Sequence, residues 1–224
     1  TYDEATIAAS SILHYLHSNE QHKLEHIQKI TILKPKEVVW LDNFSIRNLE
    51  LVQGQHVQAV SLFDILNQTQ SSMGSRMLQR WILHPLVSIE KIERRFSLVQ
   101  YLTDQAGFRE DLKNIIYQIG DLERLISKVS MLKAQPRDLV QIKRSLLKTQ
   151  ELIALILKSG SADYKKFNDF LQPCHSLIET IERKLLDEPP ALLTKGIAFK
   201  KGFHSEFDEY LSLVTDGKQY LLDI

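Results

Sequence analysis

Apolar residues recur at intervals of three and four along almost the whole of this chain, and that spacing is the strongest constraint on its fold. Ala5, Ala8, Ala9, Ile12 and Leu16 make one stripe, and Ile89, Ile92, Phe96, Val99 and Leu102 make another, with Ser88 placed to cap it. Phe108, Leu112, Ile115, Ile116 and Ile119 follow. Leu122, Leu125, Ile126 and Val129 come next, behind a cap at Asp121. Pro136 suits the first turn of a long helix with the stripe Leu139, Ile142, Leu146, Ile153 and Ile156, in which Thr149 fills one polar position. From Arg137 to Lys158 such a helix would run about 33 Å. A further stripe, Phe167, Phe170, Leu171, Cys174, Leu177, Ile178, Ile181 and Leu185, reads as a rod kinked at Pro173.

With 8 Gly and 6 Pro among 224 residues, turns are few. The breaks fall at Gly160-Ser161, Pro189-Pro190 and Gly196 to Gly202. Only residues 27–41, with Ile30, Ile32, Val38, Val39 and Trp40 around Pro35, suggest a short β segment. The expected architecture is therefore all-α, with antiparallel helical bundles and long rods able to carry a displacement. The chain opens at Thr1 rather than Met and closes at Ile224 inside a helical pattern, which predicts a piece of a larger protein.

Charge and cysteine usage exclude several classes. Lys plus Arg is 28 and Asp plus Glu is 28, so no basic field is available to wrap nucleic acid. One cysteine excludes an internal disulfide and a cysteine-rich zinc site. The most apolar window, 81–89, contains Pro85 and is too short to span a bilayer, so no membrane partner is expected. The only Gly-Lys pair, Gly217-Lys218, lacks the flanking residues of a phosphate-binding loop.

His14 and His17, and His22 and His26, have metal-compatible spacings, yet the two pairs point to different sides of a continuous helix and read as solvated surface. Cys174 lies in an apolar stripe and reads as core, with His175 badly placed to activate it. The doublets Arg94-Arg95, Lys143-Arg144 and Lys165-Lys166 read as solvated faces. Lys200-Lys201, in a Gly-flanked turn, is the one doublet where a DNA-phosphate contact is feasible. No catalytic, cofactor-binding or metal residue is expected in this chain.

Three stretches are specific when taken together. The first is Leu41-Asp42-Asn43-Phe44-Ser45-Ile46-Arg47-Asn48-Leu49-Glu50-Leu51. The second holds Ser61-Leu62-Phe63, Thr69, Met73-Gly74-Ser75-Arg76-Met77-Leu78, Trp81 and Pro85-Leu86. The third is Gly120-Asp121-Leu122-Glu123-Arg124-Leu125 with Pro136-Arg137-Asp138-Leu139. Their order and spacing resemble the core (lever) domain of the MutS family, DNA mismatch-recognition ATPases, most like the bacterial branch. Gly202-Phe203-His204-Ser205-Glu206-Phe207-Asp208-Glu209 resembles the family's Gly-x-x-x-Glu-Leu-Asp-Glu stretch, with Phe207 in place of Leu.

The resemblance implies a helical core over 1–187, and a connection with the lower part of a lever helix over 188–224, leading to a DNA clamp. It implies a task of transmission, coupling the ATPase state to clamp closure on mismatched double-stranded DNA. ATP and Mg, with the P-loop, would belong to the rest of the parent protein, a bacterial cytoplasmic and nucleoid-associated homodimer working with downstream repair factors. Phe108-Arg109-Glu110 and Phe207-Asp208-Glu209 match the letters of the family's mismatch-reading Phe-x-Glu, but they sit on amphipathic helices and read as coincidence. A MutS paralogue acting on other nucleic-acid structures, and a helical protein-interaction scaffold uncoupled from ATP, are the alternatives.

Residue chemistry adds expectations of its own. Gly74, beside Ser72 and Ser75, admits a neighbouring helix, and Trp81 extends the buried face of Met77. Pro85 stops that helix. Arg47, Arg76, Arg124 and Arg137 are candidates for ion pairs at joints between bundles, and Asp42, Glu50, Asp121, Glu123 and Asp138 lie close in sequence to all of them except Arg76.

Overall fold

The computed structural model describes residues 3–19, 27, 37–56 and 58–222, the side chains of 195, 215, 216 and 218–222 aside. The helices are α1 (Asp3–Ser18), α2 (Asn43–Asn48), α3 (Leu62–Leu66), α4 (Ser72–Leu83), α5 (Ile89–Asp104) and α6 (Ala106–Gln118). They continue with α7 (Leu122–Ser130), α8 (Pro136–Lys158), α9 (Ala162–Lys165), α10 (His175–Lys184) and α11 (Ser205–Leu222), with short 3-10 turns after α9 and at Leu193–Lys195. The fold is all-α. The short β segment expected over 27–41 reduces, among its described residues, to one antiparallel bridge between Val38 and Leu86, flanked by Val39 N–H to Pro85 O (2.8 Å) and Val87 N–H to Glu37 O (3.2 Å).

Side chains start most of these helices. Asp42 accepts from Ser45 N–H ahead of α2, Ser88 from Lys91 N–H ahead of α5, and Asp121 from Arg124 N–H ahead of α7. Ser61 and Asp64 form a reciprocal capping box on α3, and Ser61 is completely buried. Pro136 occupies the first turn of α8, where its missing N–H goes unneeded. Pro85 ends α4 at Leu83, with His84 outside helical geometry at φ −132° and ψ 69°.

The 23-residue α8 is the organising rod, against which α6, α7, α9 and α10 pack. The core sits where α7, α8 and α10 meet: Leu125, Val140, Ile142, Ile181 and Leu185, with Leu122, Leu139, Leu146 and Phe199 against them. Thr149 is accommodated in α8 by donating its hydroxyl to Ser145 O (3.0 Å).

Two expectations for the 167–185 stripe fail. It is not one kinked rod, because the chain leaves α9 through a 3-10 turn and resumes only at α10. Pro173, without an N–H, disfavours helix for the residue before it, and Cys174 then takes a left-handed conformation at φ +48°. Cys174 is therefore a half-buried helix cap and not a core position.

Candidate functional site

The most connected polar cluster joins helices distant in sequence. Arg76, in the second turn of α4, directs its guanidinium at two carboxylates 45 and 47 residues away. Nη1 and Nη2 donate to the two oxygens of Asp121 at 2.9 and 2.7 Å, a bidentate pair. Nε and Nη2 donate to Glu123 Oε2 at 3.0 and 2.7 Å. α4 is itself fixed at its start, where Ser71 Oγ accepts from Gly74 N–H (3.1 Å) and Asn67 donates to Ser75 Oγ (3.0 Å).

Asp121 also caps α7, and Gly120 N–H donates to the fully buried Ser145 Oγ of α8 at 3.0 Å. Two consecutive residues thus tie α4, α7 and α8 together. A Cβ on Gly120 would lie 2.7 Å from the Gln141 amide and 3.0 Å from Ser145 Oγ, so a side chain there would have to push the Gln141 amide aside. The Arg76 hydrogen bonds hold the Asp121 carboxyl below its ordinary range against a smaller upward push from burial, and the two acids raise Arg76.

The arginine without a carboxylate nearby in sequence is the one that builds the joint. Sequence proximity misleads here because helix packing, not chain distance, brings the charges together. Arg124 makes no salt bridge among the described residues, although its charge also favours the Asp121 carboxylate, and Arg47 offers its backbone carbonyl to Gln55 (3.3 Å). Arg137 binds a carbonyl, with Nε to Pro189 O at 2.8 Å. Asp138 pairs with Lys128 (2.7 Å) and accepts from Gln135 N–H (2.9 Å), linking α7 to the start of α8.

A second cluster lies at the foot of α11. Lys143, expected on a solvated face, is buried on α8 with its ammonium 2.8 Å from Asp187. Arg144 donates to Asp187 O at 3.3 Å. Gly202, at φ +89°, donates its N–H to both oxygens of Asp208 (3.0 and 2.8 Å), so two of the quoted motif residues meet, while Glu206 and Glu209 face solvent. Phe207 packs with Phe199 and Phe203, and Phe108 with Tyr101 and Tyr164, so both Phe-x-Glu phenylalanines are internal packing residues. Lys200 donates its ammonium to Glu182 O (2.9 Å), and Lys201 is exposed.

Other quoted residues serve local geometry. Glu50, at φ +47°, accepts from Gln55 N–H through its side chain and from Leu62 N–H through its carbonyl, and Asn48 closes α2. Gly74 does not admit a helix: a Cβ there would meet its own cap, Ser71 Oγ at 3.1 Å and Thr69 at 3.5 Å. Met77 and Trp81 are about half exposed rather than buried, and the Arg95 guanidinium lies 3.6 Å over the Trp81 ring.

Among the described residues no group of His, Cys, Asp and Glu could hold a metal, and no helix is long and apolar enough to cross a membrane. His14 and His17 share α1, whereas His22 and His26 lie outside the described residues. Sequence reading missed Ser145, Lys143, Asp187 and Gly54. Only Gly54, in a turn region, carried a visible signal.

A family model described as MutS domain III matches residues 45–222. The chain is 38% identical over 219 residues to DNA mismatch repair protein MutS of Christiangramia forsetii, covering 98% of this chain and 25% of that protein. It is 40% identical over 215 residues to the protein of the same name in Flavobacterium psychrophilum (96% and 25%), and 35% identical over 219 residues to that of Halalkalibacterium halodurans (97% and 25%). The chain spans about a quarter of the length of the curated relatives it matches.

Proposed function

The chain belongs to the MutS domain III family, and from that premise we propose that it is the transmission of a DNA mismatch-recognition ATPase, coupling the nucleotide state of the parent protein to clamp closure on mismatched duplex. The observation that carries the proposal is the Arg76 joint. A guanidinium whose Nε, Nη1 and Nη2 all donate to carboxylates of another helix lets α4 and α7 move as one piece, and Gly120 passes that piece to α8. Salt bridges of this exposure contribute little to stability in isolation, so their value here is directional: they fix register between rods.

In this reading residues 1–187 are the helical core, and 188–224 are the connection and lower lever. ATP and Mg are bound by other parts of the parent protein, which acts as a homodimer with downstream repair factors in the bacterial cytoplasm, associated with the nucleoid. Lys201, with Lys200, is a supporting phosphate contact when the clamp is closed. The test is ATP turnover by the complete reading frame with matched and with single-mismatch duplex. Turnover that changes with the mismatch is the expected result. Turnover blind to it sinks the repair-sensor reading, and absence of turnover leaves a scaffold.

A further inference from the structure

The connection between α10 and α11 is held to α8 by an asymmetric ion pair. The Lys143 side chain is 9% exposed and that of Asp187 is 68% exposed, with 2.8 Å between Nζ and Oδ1. We propose that residues 187–189 form a two-state clasp that makes α11 and α8 turn as one body, with Asp187 as its positioning residue. The inference rests on the coupling reading above and names the contact through which the lever acts.

The asymmetry carries the argument. An exposed carboxylate can be lifted into water with little loss, but an ammonium buried on α8 cannot stay there unpaired. A partly displaced connection is therefore the unstable arrangement. Either the carboxylate is seated, or the connection has left and Lys143 has turned out to solvent. Such an element switches between two positions rather than stretching.

The seated state is reinforced on both sides. Arg137 Nε donates to Pro189 O at 2.8 Å and Arg144 Nη2 to Asp187 O at 3.3 Å, so three cations of one α8 segment close on Asp187 and Pro189. Lys143, which hydrogen-bonds the Asp187 carboxyl, together with Lys200 and Arg144 holds it below its ordinary value.

The return leg has no slack. Leu186 N–H donates to Ala198 O and Lys200 N–H to Lys184 O, each at 2.9 Å, with Leu185 bridged to Phe199. Phe199 stacks on Phe203 with centroids 4.3 Å apart and touches the core around Val140 and Ile142. Gly202 and Asp208 then fix the entry to α11. The leg 198–200 is thus paired with 184–186, immediately before Asp187, so a rotation of α11 reaches α8 through Phe199 on the core and through the stretch that Asp187 seats.

The experiment uses the full-length protein carrying this chain, with spin labels at Glu151 on α8 and Ser212 on α11, both exposed positions. Their separation is followed by electron–electron double resonance with and without nucleotide. In each nucleotide state a single narrow separation is expected for the wild type. Asp187→Asn should broaden it and lower the mismatch-dependent change in ATP turnover about tenfold, within the usual span of allosteric coupling. Turnover without DNA should be unchanged. A short thiol crosslink between cysteines at Gln141 and Glu188, which line the same cleft, should restore both properties to Asp187→Asn and so exclude misfolding. An Asp187→Asn protein with the wild-type width and full coupling overturns the clasp, as does a crosslink that restores neither. Should the wild type ignore mismatches, the coupling reading fails, and the change in width alone decides the clasp.

Discussion

Asp121 does two jobs with one carboxylate, starting α7 and pairing bidentately with Arg76, next to the Gly120 N–H that reaches Ser145. Its carboxyl sits below the ordinary 3.8 chiefly through the Arg76 hydrogen bonds. At Asp138 burial pushes the carboxyl up, but the Gln135 N–H and the Lys128 ammonium outweigh it, and the net direction is again down. A carboxyl depressed by folding stabilises the native state fully above its unfolded value, and the contribution disappears as pH falls through the folded value. Urea unfolding should therefore show a loss of stability below about pH 4, and Asp121→Asn should flatten that slope while lowering stability at pH 7. An unaltered slope in Asp121→Asn would mean that the joint is not ionised in the folded chain.

Glycines give a second test at this scale. A Cβ on Gly54 would lie 2.5 Å from the Ala59 carbonyl oxygen and 2.6 Å from its Cβ, whereas at Gly120 the closest atom is the end of a flexible glutamine. Backbone cannot step aside as a glutamine amide can. Gly54→Ala is expected to cost about 1–3 kcal/mol and Gly120→Ala less, measured as the shift of the urea midpoint. The reverse order would show that Gln141 is pinned.

At the scale of elements, helices with a local cap were legible, while the 167–185 stretch and the polar residues buried between helices were not. Ser88, Asp121 and Pro136 announce α5, α7 and α8 because capping is chemistry between near neighbours, readable three residues ahead. Ser61-x-x-Asp64 is the same kind of signal on α3, and Ser61→Ala should cost about 1 kcal/mol by removing the box. The stripe on α8 correctly marks Ile142 and Ile156 as buried, but not Lys143 or Ser145. Those two are inside because Asp187 and Gly120 come to meet them from 44 and 25 residues away, and no local pattern encodes such a partner. Met77 and Trp81 err the other way. Their spacing says buried, yet both are about half exposed, with the Arg95 guanidinium lying over the Trp81 ring. The Gly202-to-Glu209 motif was legible as a motif, and its reason appears only when Asp208 folds back on Gly202. Asp208→Ala should speed amide hydrogen exchange at 202–208 while leaving α8 unaffected; equal exchange would deny that this contact fixes the foot of α11.

At the scale of the whole molecule, the described residues leave large apolar side chains in water. Trp40, Phe44 and Ile89 are each 75% exposed and Phe170 80%. Apolar surface on this scale belongs to a body that packs against others, in keeping with relatives about four times as long. Zero formal charge gives no electrostatic reason for the isolated chain to hold duplex tightly. Titrated alone at physiological salt it should bind DNA only weakly, and a sub-micromolar affinity indifferent to salt would contradict the proposal that it is connecting machinery.

The Arg76 joint is proposed to transmit motion between α4 and α7. The most direct measurement is ATP turnover by the full-length protein, wild type against Arg76→Met, with matched and single-mismatch duplex. The variant keeps an unbranched flexible stem and removes the guanidinium with its charge. The expected result is turnover without DNA and DNA affinity both unchanged, with the mismatch-dependent change in turnover reduced about tenfold, a loss typical of one broken allosteric coupling. A variant that answers the mismatch as fully as the wild type would show that α4 and α7 need no such tie, and that the signal passes elsewhere.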